Sequence, residues 1–411
     1  MSVALTAIKG QYSDRLRDWK IVKLFAVFGT AALGLLVGIS PAPAQDFDLY
    51  TTGAPPDLSG NFVRPFEPIA LSRPGGAASN PQVTSRKSST VIVWVENREG
   101  RGAIRSLLLG DMRLQPEPYL KAIADVDAGT ADCSSPVVVI DPVSGRPAFA
   151  WVESAKGENA IQFREDGSAP VTIWHSGNLL EFPSLEFDAQ GSPYIAWSEL
   201  IGGRSEAYAA LRDANGGWAT HNLSVALRPY DILPRVFGNA QGADLYWYSI
   251  NGSDAQLNHS IIAGSGFSAG APAGLDGIPA FRLPHLYRTG DDAKVGALWL
   301  EPTDAGEVYL DLDPRNVESA TPQVVGRIGD VPALASVSND ATATKVWVER
   351  DGSASSTIVA QKPSSDHALR EQVAGAVADP VIAVSDGWMH ICWTVEDSQS
   401  GDKTLWYMRG N

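Results

Sequence analysis

The sequence predicts an all-β protein: residues 46–411 read as a single seven-bladed β-propeller of four-stranded antiparallel blades, and three regularities carry the prediction. Seven tryptophans, Trp94, Trp151, Trp197, Trp247, Trp299, Trp347 and Trp393, recur at intervals of 57, 46, 50, 52, 48 and 46 residues. A proline lies 13 to 15 residues before each: Pro81, Pro136, Pro183, Pro234, Pro284, Pro332 and Pro380. Two residues after every proline stands an aliphatic side chain, Val83, Val138, Leu185, Val236, Leu286, Leu334 or Ile382. A period of this length marks units that cannot bury their apolar faces alone and must stack on one another. The 39 glycines and 27 prolines, without long apolar stripes of helical spacing, favour short strands and tight turns.

The chain opens on a segment that reads as a secretory signal, residues 1–45. Lys20 and Lys23 precede an uncharged apolar run over 24–39, and Ser40-Pro41-Ala42-Pro43-Ala44-Gln45 offers a small-residue site for cleavage after Ala44. The run is shorter than the ~20 residues a membrane-spanning helix needs. Retention as an anchor stays open, and so does a start codon nearer Val22, because the stretch before Lys20 is long and carries Asp14 and Asp18. The mature protein is expected in the periplasm or outside the cell, with no membrane insertion after cleavage and as a monomer.

Cleavage removes five basic and two acidic residues, which takes the formal net charge from −15 to −18. Nucleic acid and anionic membrane surfaces are therefore not expected partners, since both need a basic footprint. An acidic surface serves solubility.

Within one repeat the pattern is strand, turn, strand: Pro183-Ser-Leu-Glu-Phe187, the turn Asp188-Ala-Gln-Gly191, then Tyr194-Ile-Ala-Trp197. A third strand follows at Ala207-Tyr-Ala-Ala-Leu211, and a fourth at Val171-Thr-Ile-Trp174 in one copy and Trp218-Ala-Thr-His221 in the next. Proline is expected as the first residue of the innermost strand, where no ladder donor is lost. The tryptophan belongs to the second strand, as a core filler between blades. The first interval, 57 residues, places an insertion in 111–131, with a short helical turn expected at 119–124. The last copy ends after Thr404-Leu-Trp-Tyr-Met408, too early for an outer strand. Phe66-Glu-Pro-Ile-Ala-Leu71, ahead of the first repeat proline, is expected to supply it and close the ring.

Cys133 and Cys392 are the two cysteines, and export permits a disulfide. Cys392 stands where other copies carry Val93, Ala150, Ala196, Tyr246, Leu298 and Val346, which favours core packing over a bridge.

The Pro…Gly…Trp-x-Glu repeat over residues ~66 to 411 resembles the sialidase-like, BNR-type class of β-propellers. The resemblance is one of architecture. Asp boxes of the form Ser-x-Asp-x-Gly-x-x-Trp are absent; Asp188-Ala-Gln-Gly191 and Asn239-Ala-Gln-Gly242 are the nearest turns. The arginine triad, the tyrosine nucleophile with its glutamate and the acidic proton donor that the resemblance implies have no assigned counterparts here. Fold likeness does not carry function.

Two residues after the repeat tryptophan stands a glutamate in five copies, Glu96, Glu153, Glu199, Glu301 and Glu349. These side chains form either an acidic rim for a cation or basic partner or, the favoured reading, acceptors for a backbone donor that recurs once per blade. The six histidines show no metal-binding spacing, and there is no Gly-x-Ser-x-Gly elbow or phosphate-binding loop, so neither a metal nor a cofactor is expected. The fourth and fifth copies carry Tyr230, Asp231 and Arg235, then Arg282, His285, Tyr287 and Arg288, around their prolines. Guanidinium forks suit carboxylates and tyrosine suits a sugar face. Arg235, Arg282, His285, Tyr287, Tyr230 and Asp231 are the candidate ligand-binding residues, though ion pairing with neighbouring carboxylates is the competing account. The expectation is an exported, non-catalytic binding module that presents one face to a glycan, an acidic small molecule or a protein. The alternative is a sialidase-like glycoside hydrolase or polysaccharide lyase acting on an acidic sugar.

Overall fold

The chain divides into two compact units, residues 1–48 and 49–411. The computed structural model describes residues 67–72, 76–109, 124–127, 131–213, 215–224, 230–264, 266–273, 278–280, 283–289, 294–303, 306–312, 335–337, 344–350, 355–362, 367–398 and 401–411. The first unit, with the expected signal, lies outside them.

The described residues contain no helix and are arranged as antiparallel meanders. Three four-stranded sheets run in chain order. They are Ser79–Arg86, Ser89–Arg98, Arg101–Leu109 and Ala124–Asp125; then Asp132–Ile140, Pro147–Ala155, Glu158–Glu165 and Val171–Ser176; and Ala335–Val337, Lys345–Arg350, Ser355–Gln361 and Leu369–Ala374. A three-stranded sheet joins His285–Thr289, Lys294–Thr303 and Gly306–Leu312. A ten-stranded sheet combines two meanders, 179–222 and 230–279, through one parallel pair, Ser205 with Tyr230. The C-terminal sheet consists of Ala376–Ser385, Trp388–Glu396 and Lys403–Gly410, with Ile69–Ala70 as its outer strand. No sheet closes on itself.

The N-terminal strand therefore stands where the sequence puts it. Ile69 opposes Tyr407 and Ala70 opposes Trp406, while Leu71 N donates to Leu405 O and Leu405 N donates to Ser72 Oγ, both at 2.8 Å. The insertion predicted in 111–131 falls mostly outside the described residues, as does its helical turn. Its described part includes Ala124–Asp125, which pairs with Arg105 and Ser106.

In the meanders whose side chains are described, the second strand is the most enclosed. Gly242–Asn251 is buried at every position but the last, because neighbouring sheets cover both of its faces. The six repeat tryptophans whose side chains are described are 0 to 3% exposed and fill this layer, as core packing requires. Trp197 stacks on Tyr208 at 5.8 Å and tilts against Trp174 at 6.1 Å, which ties two meanders together.

The prolines sit differently from expectation. The first strands begin two to four residues before Pro81, Pro136, Pro183, Pro234 and Pro380, and the register slips across each proline. The residue before each is left-handed: Asn80, Ser135, Phe182, Leu233 and Asp379 have φ of 50 to 54°. The repeat proline thus marks a β-bulge rather than a strand start. A bulge leaves its extra residue outside the ladder, so the missing proline N–H costs nothing there. A bulge also bends the strand and re-aims the next side chain. That next side chain is Gln82, Val137, Ser184, Arg235 or Val381, and all five line the same cavity.

Both cysteines are buried and unbridged, and burial pushes their thiol pKa values up. The recurring glutamates act largely as acceptors. Glu199, 3% exposed, accepts from Trp174 Nε1 at 2.9 Å, Asn178 Nδ2 at 2.8 Å and Ser176 Oγ. Glu96 faces Arg105 Nε at 3.5 Å, and Glu349 takes Trp347 Nε1 at 3.1 Å together with Arg370. In these three the donors are side chains that differ from copy to copy, and not the recurring backbone N–H that the repeat led us to expect.

Candidate functional site

The first strands of the meanders converge on one cavity of about 250 Å³. Its walls are the segments 82–86, 137–140, 184–186, 235–237, 285–286 with Arg288, and 380–384. Neighbouring walls are stitched together: Val236 N donates to Ser184 Oγ at 3.1 Å, and Tyr248 Oη donates to Pro284 O at 2.7 Å.

Among the described residues most of the lining is aliphatic or backbone, and the ionisable side chains are five: Arg86, Glu186, Arg235, His285 and Arg288. Arg235 leaves its bulge directly into the cavity. Enclosure by protein pushes its guanidinium pKa down, and the nearby Tyr248 is the one electrostatic neighbour that raises it. Among the described residues no carboxylate pairs with it. His285 is driven to a pKa of about 3, first by burial and then by Arg235, so its ring is neutral at physiological pH. Glu186 lies in the same cavity. Burial raises its carboxyl pKa, against the lowering pull of the Phe187 N–H at 3.1 Å and of Arg288 and Arg86.

The residues singled out from sequence separate here. Arg235 and His285 come together on the cavity wall, and Arg288 joins them. Tyr287 does not line the cavity: it is 1% exposed, and its ring lies over Gly296, where a Cβ would sit 2.4 Å from Tyr287 Cζ. Asp231 is 2% exposed and accepts from Ser249 Oγ, while its carbonyl takes Ser205 Oγ at 3.0 Å. Tyr230 packs at the edge of the Ile232–Tyr248 core cluster and forms the parallel pair with Ser205. Asp231 and Tyr230 tie the 179–222 meander to the 230–279 meander, and Tyr287 packs within its own sheet. Arg282 lies outside the described residues.

Glu186 and Arg86 escaped the sequence reading. A signal existed: Glu186 is the third residue after its proline, where other copies carry Thr84, Val139, Phe237, Tyr287, Ala335 and Ala383. A single carboxylate among uncharged side chains on an inner strand is a charge drawn partly out of water, and such charges need a reason.

A carboxyl raised by burial has a direct consequence. As pH rises past 4.5 the unfolded chain gives up this proton before the folded one does, so ionising Glu186 costs folding free energy near neutrality. Glu186→Gln is expected to raise the melting temperature at pH 7 and leave it unchanged at pH 3.5, as read by differential scanning fluorimetry. An equal shift at both pH values would refute the assignment.

Among the described residues no group of three or more His, Cys, Asp or Glu side chains converges as metal ligands. No family model matches the chain, and no curated protein matches it. Solved structures similar to it include the polysaccharide lyase Uly1, at 8% identity over 80% of this chain and 89% of that one, with a TM-score of 0.45. The NanB sialidase from Streptococcus pneumoniae is 10% identical over 84% and 70% of the two chains, TM-score 0.43. The Trypanosoma rangeli sialidase is 10% identical over 85% and 58%, TM-score 0.44. Likeness of this degree assigns neither family nor activity.

Proposed function

We propose that residues 46–411 form one seven-bladed propeller, closed by the N-terminal strand, and that this exported, monomeric module binds an acidic glycan or small molecule in the cavity between its inner strands. The reading places it in the periplasm or outside the cell, after removal of residues 1–45. Support for the ring comes from neighbouring first strands: 376–385 packs on 79–86, that on 132–140, and so on through 179–187 to 230–239, with 335–337 between 285–289 and 376–385.

One observation carries the binding function. Arg235 stands half-buried on the wall of a partly open cavity and has no carboxylate partner among the described residues. A guanidinium partly withdrawn from water is costly unless an anion compensates it. A carboxylate supplies both the charge and the planar geometry that the fork of donors fits. A second reading, acid-catalysed cleavage of an acidic sugar, is favoured by Glu186, whose burial keeps a proton available at higher pH than an ordinary carboxyl.

Calorimetry on the mature protein with glucuronate, galacturonate and sialate tests the binding reading. Arg235→Ala is expected to weaken the best of these ten- to hundredfold, the ~1.5 to 3 kcal/mol of one charged hydrogen bond. Unchanged affinity refutes it. Product formation from a glycoside of the same acid, lost in Glu186→Gln, would transfer the case to the catalytic reading.

A further inference from the structure

The site extends past the guanidinium that holds the acid, and this step rests on the binding reading above. The cavity walls begin at the repeat proline or one residue after it, so the residue before each proline stands at the end of the cavity where the first strands start. Arg235 and His285, each the first residue after its proline, belong to that same end. Phe182 stands there as well, two residues before Ser184, whose Oγ accepts from Val236 N at 3.1 Å, next to Arg235. Two residues of strand are roughly 7 Å, about one sugar ring.

The repeat holds this position in the left-handed region: Asn80, Ser135, Phe182, Leu233 and Asp379 have φ of 50 to 54°. Asparagine and aspartate tolerate that region because their short polar groups bond the local backbone, whereas a bulky side chain crowds the following carbonyl. Among the described residues Phe182 is the one aromatic of positive φ. Leu233 is half-buried against the Ile232–Tyr248 core cluster, and packing offsets its conformation. Phe182 is 41% exposed, so burial offsets less of the same cost. Of the five large apolar side chains exposed among the described residues, two, Leu179 and Phe182, fall at the start of this one strand, and only Phe182 is aromatic. Strained conformations that packing does not offset concentrate where ligands bind.

We propose that Phe182 is a stacking platform for a second sugar unit, which makes the ligand of this site an acidic oligosaccharide rather than a free sugar acid. The acidic end unit occupies the cavity, whose volume of about 250 Å³ lies below the ~300 to 1,000 Å³ of drug-sized sites and suits a single ring, with its carboxylate on Arg235. The adjoining unit emerges at the end where the first strands start and lays the C–H face of its ring on the phenyl ring, whose negative π-face attracts those hydrogens.

The test is calorimetry on the mature protein with each free acid paired with a glycan that ends in it: glucuronate with cellobiouronate, and sialate with sialyllactose. In the pair whose acid binds, the glycan is expected to bind roughly tenfold tighter. Phe182→Asn should abolish that gain and Phe182→Trp should keep it, whereas Arg235→Ala should weaken both members of the pair. Phe182→Asn should also raise the melting temperature of the ligand-free protein by about 2 °C, since asparagine, which the first copy carries here as Asn80, accepts the left-handed conformation. A lower melting temperature in that variant assigns the ring to packing and overturns the inference. A glycan that binds no tighter than its acid, or a gain that survives Phe182→Asn, overturns it too, and with Arg235→Ala still harmful either result leaves the binding reading standing. Absence of binding by every probe, or indifference to Arg235→Ala, overturns both.

Discussion

Deletion of residues 46–75 is expected to lower the melting temperature by roughly 10 °C and to make the protein aggregate in a concentration-dependent way. The deletion strips the outer edge of Lys403–Gly410. It removes the Ile69–Tyr407 and Ala70–Trp406 pairs, the Leu71 N to Leu405 O bond and the Ser72 Oγ acceptor of Leu405 N. It also removes Leu71, 0% exposed in a cluster with Trp94, Leu107, Cys392, Leu405 and Tyr407. One fully buried leucine contributes ~3 kcal/mol and each hydrogen bond ~1 kcal/mol, so the loss is on the order of 5 kcal/mol out of the ~5 to 15 that hold an ordinary domain. The bared strand then offers its unpaired N–H and C=O groups to a second molecule. Thermal melts and light scattering at two protein concentrations read both effects; a truncated protein that melts with the parent and stays monomeric would disprove the edge-capping role.

The second large effect is expected on acidification. His390 is 0% exposed and sits in a run of side-chain hydrogen bonds that crosses from the C-terminal sheet to the 79–125 meander. Tyr407 Oη lies 2.8 Å from His390 Nδ1, Ser385 Oγ 3.0 Å from His390 Nε2, Thr90 Oγ1 3.3 Å from Ser385 Oγ and Ser85 Oγ 2.8 Å from Thr90 Oγ1. Ser85 in turn lines the cavity. Burial, helped by Arg409, holds the imidazole pKa down at about 3, whereas in the unfolded chain it has its ordinary 6.5. Between those values the unfolded state binds one proton more than the folded state. Stability is therefore complete above pH 6.5 and falls as pH drops toward 3, by ~1.4 kcal/mol per unit, or about 3 kcal/mol between pH 6.5 and 4.5. His285, also driven to about 3, acts in the same direction. Urea unfolding at pH 7.5, 6.5, 5.5 and 4.5 measures the slope. In His390→Asn the slope should shrink by one proton's worth, while stability at pH 7.5 also drops because Ser385 and Tyr407 lose a partner. An unchanged slope in that variant would show that His390 is not the group being titrated.

What could be read from the chain alone was local. Period-two alternation, turn residues such as Asp188-Ala-Gln-Gly191 and a tryptophan once per repeat dictate strands, hairpins and a filled core, because each acts over a few residues of backbone. The outer strand at Ile69–Ala70 was legible as well, since the segment before Pro81 has strand character. The candidate site was legible in part: arginines near the repeat prolines of the fourth and fifth copies pointed to Arg235, His285 and Arg288.

The tertiary structure alone decided the rest. Which inner-strand side chains enter the cavity depends on bulge geometry and on what the neighbouring strand leaves open. The ring of Tyr287 is taken by the gap over Gly296, while His285, two residues earlier in the same strand, faces Arg235. Glu186 and Arg86 acquire meaning only when strands separated by about a hundred residues of chain converge on one cavity. Ser385 and Thr90 meet across a separation of 295 residues, which no local pattern encodes. Burial and electrostatic potential are properties of the assembled walls, so the charge of this cavity is set by packing among distant strands and not by any one motif.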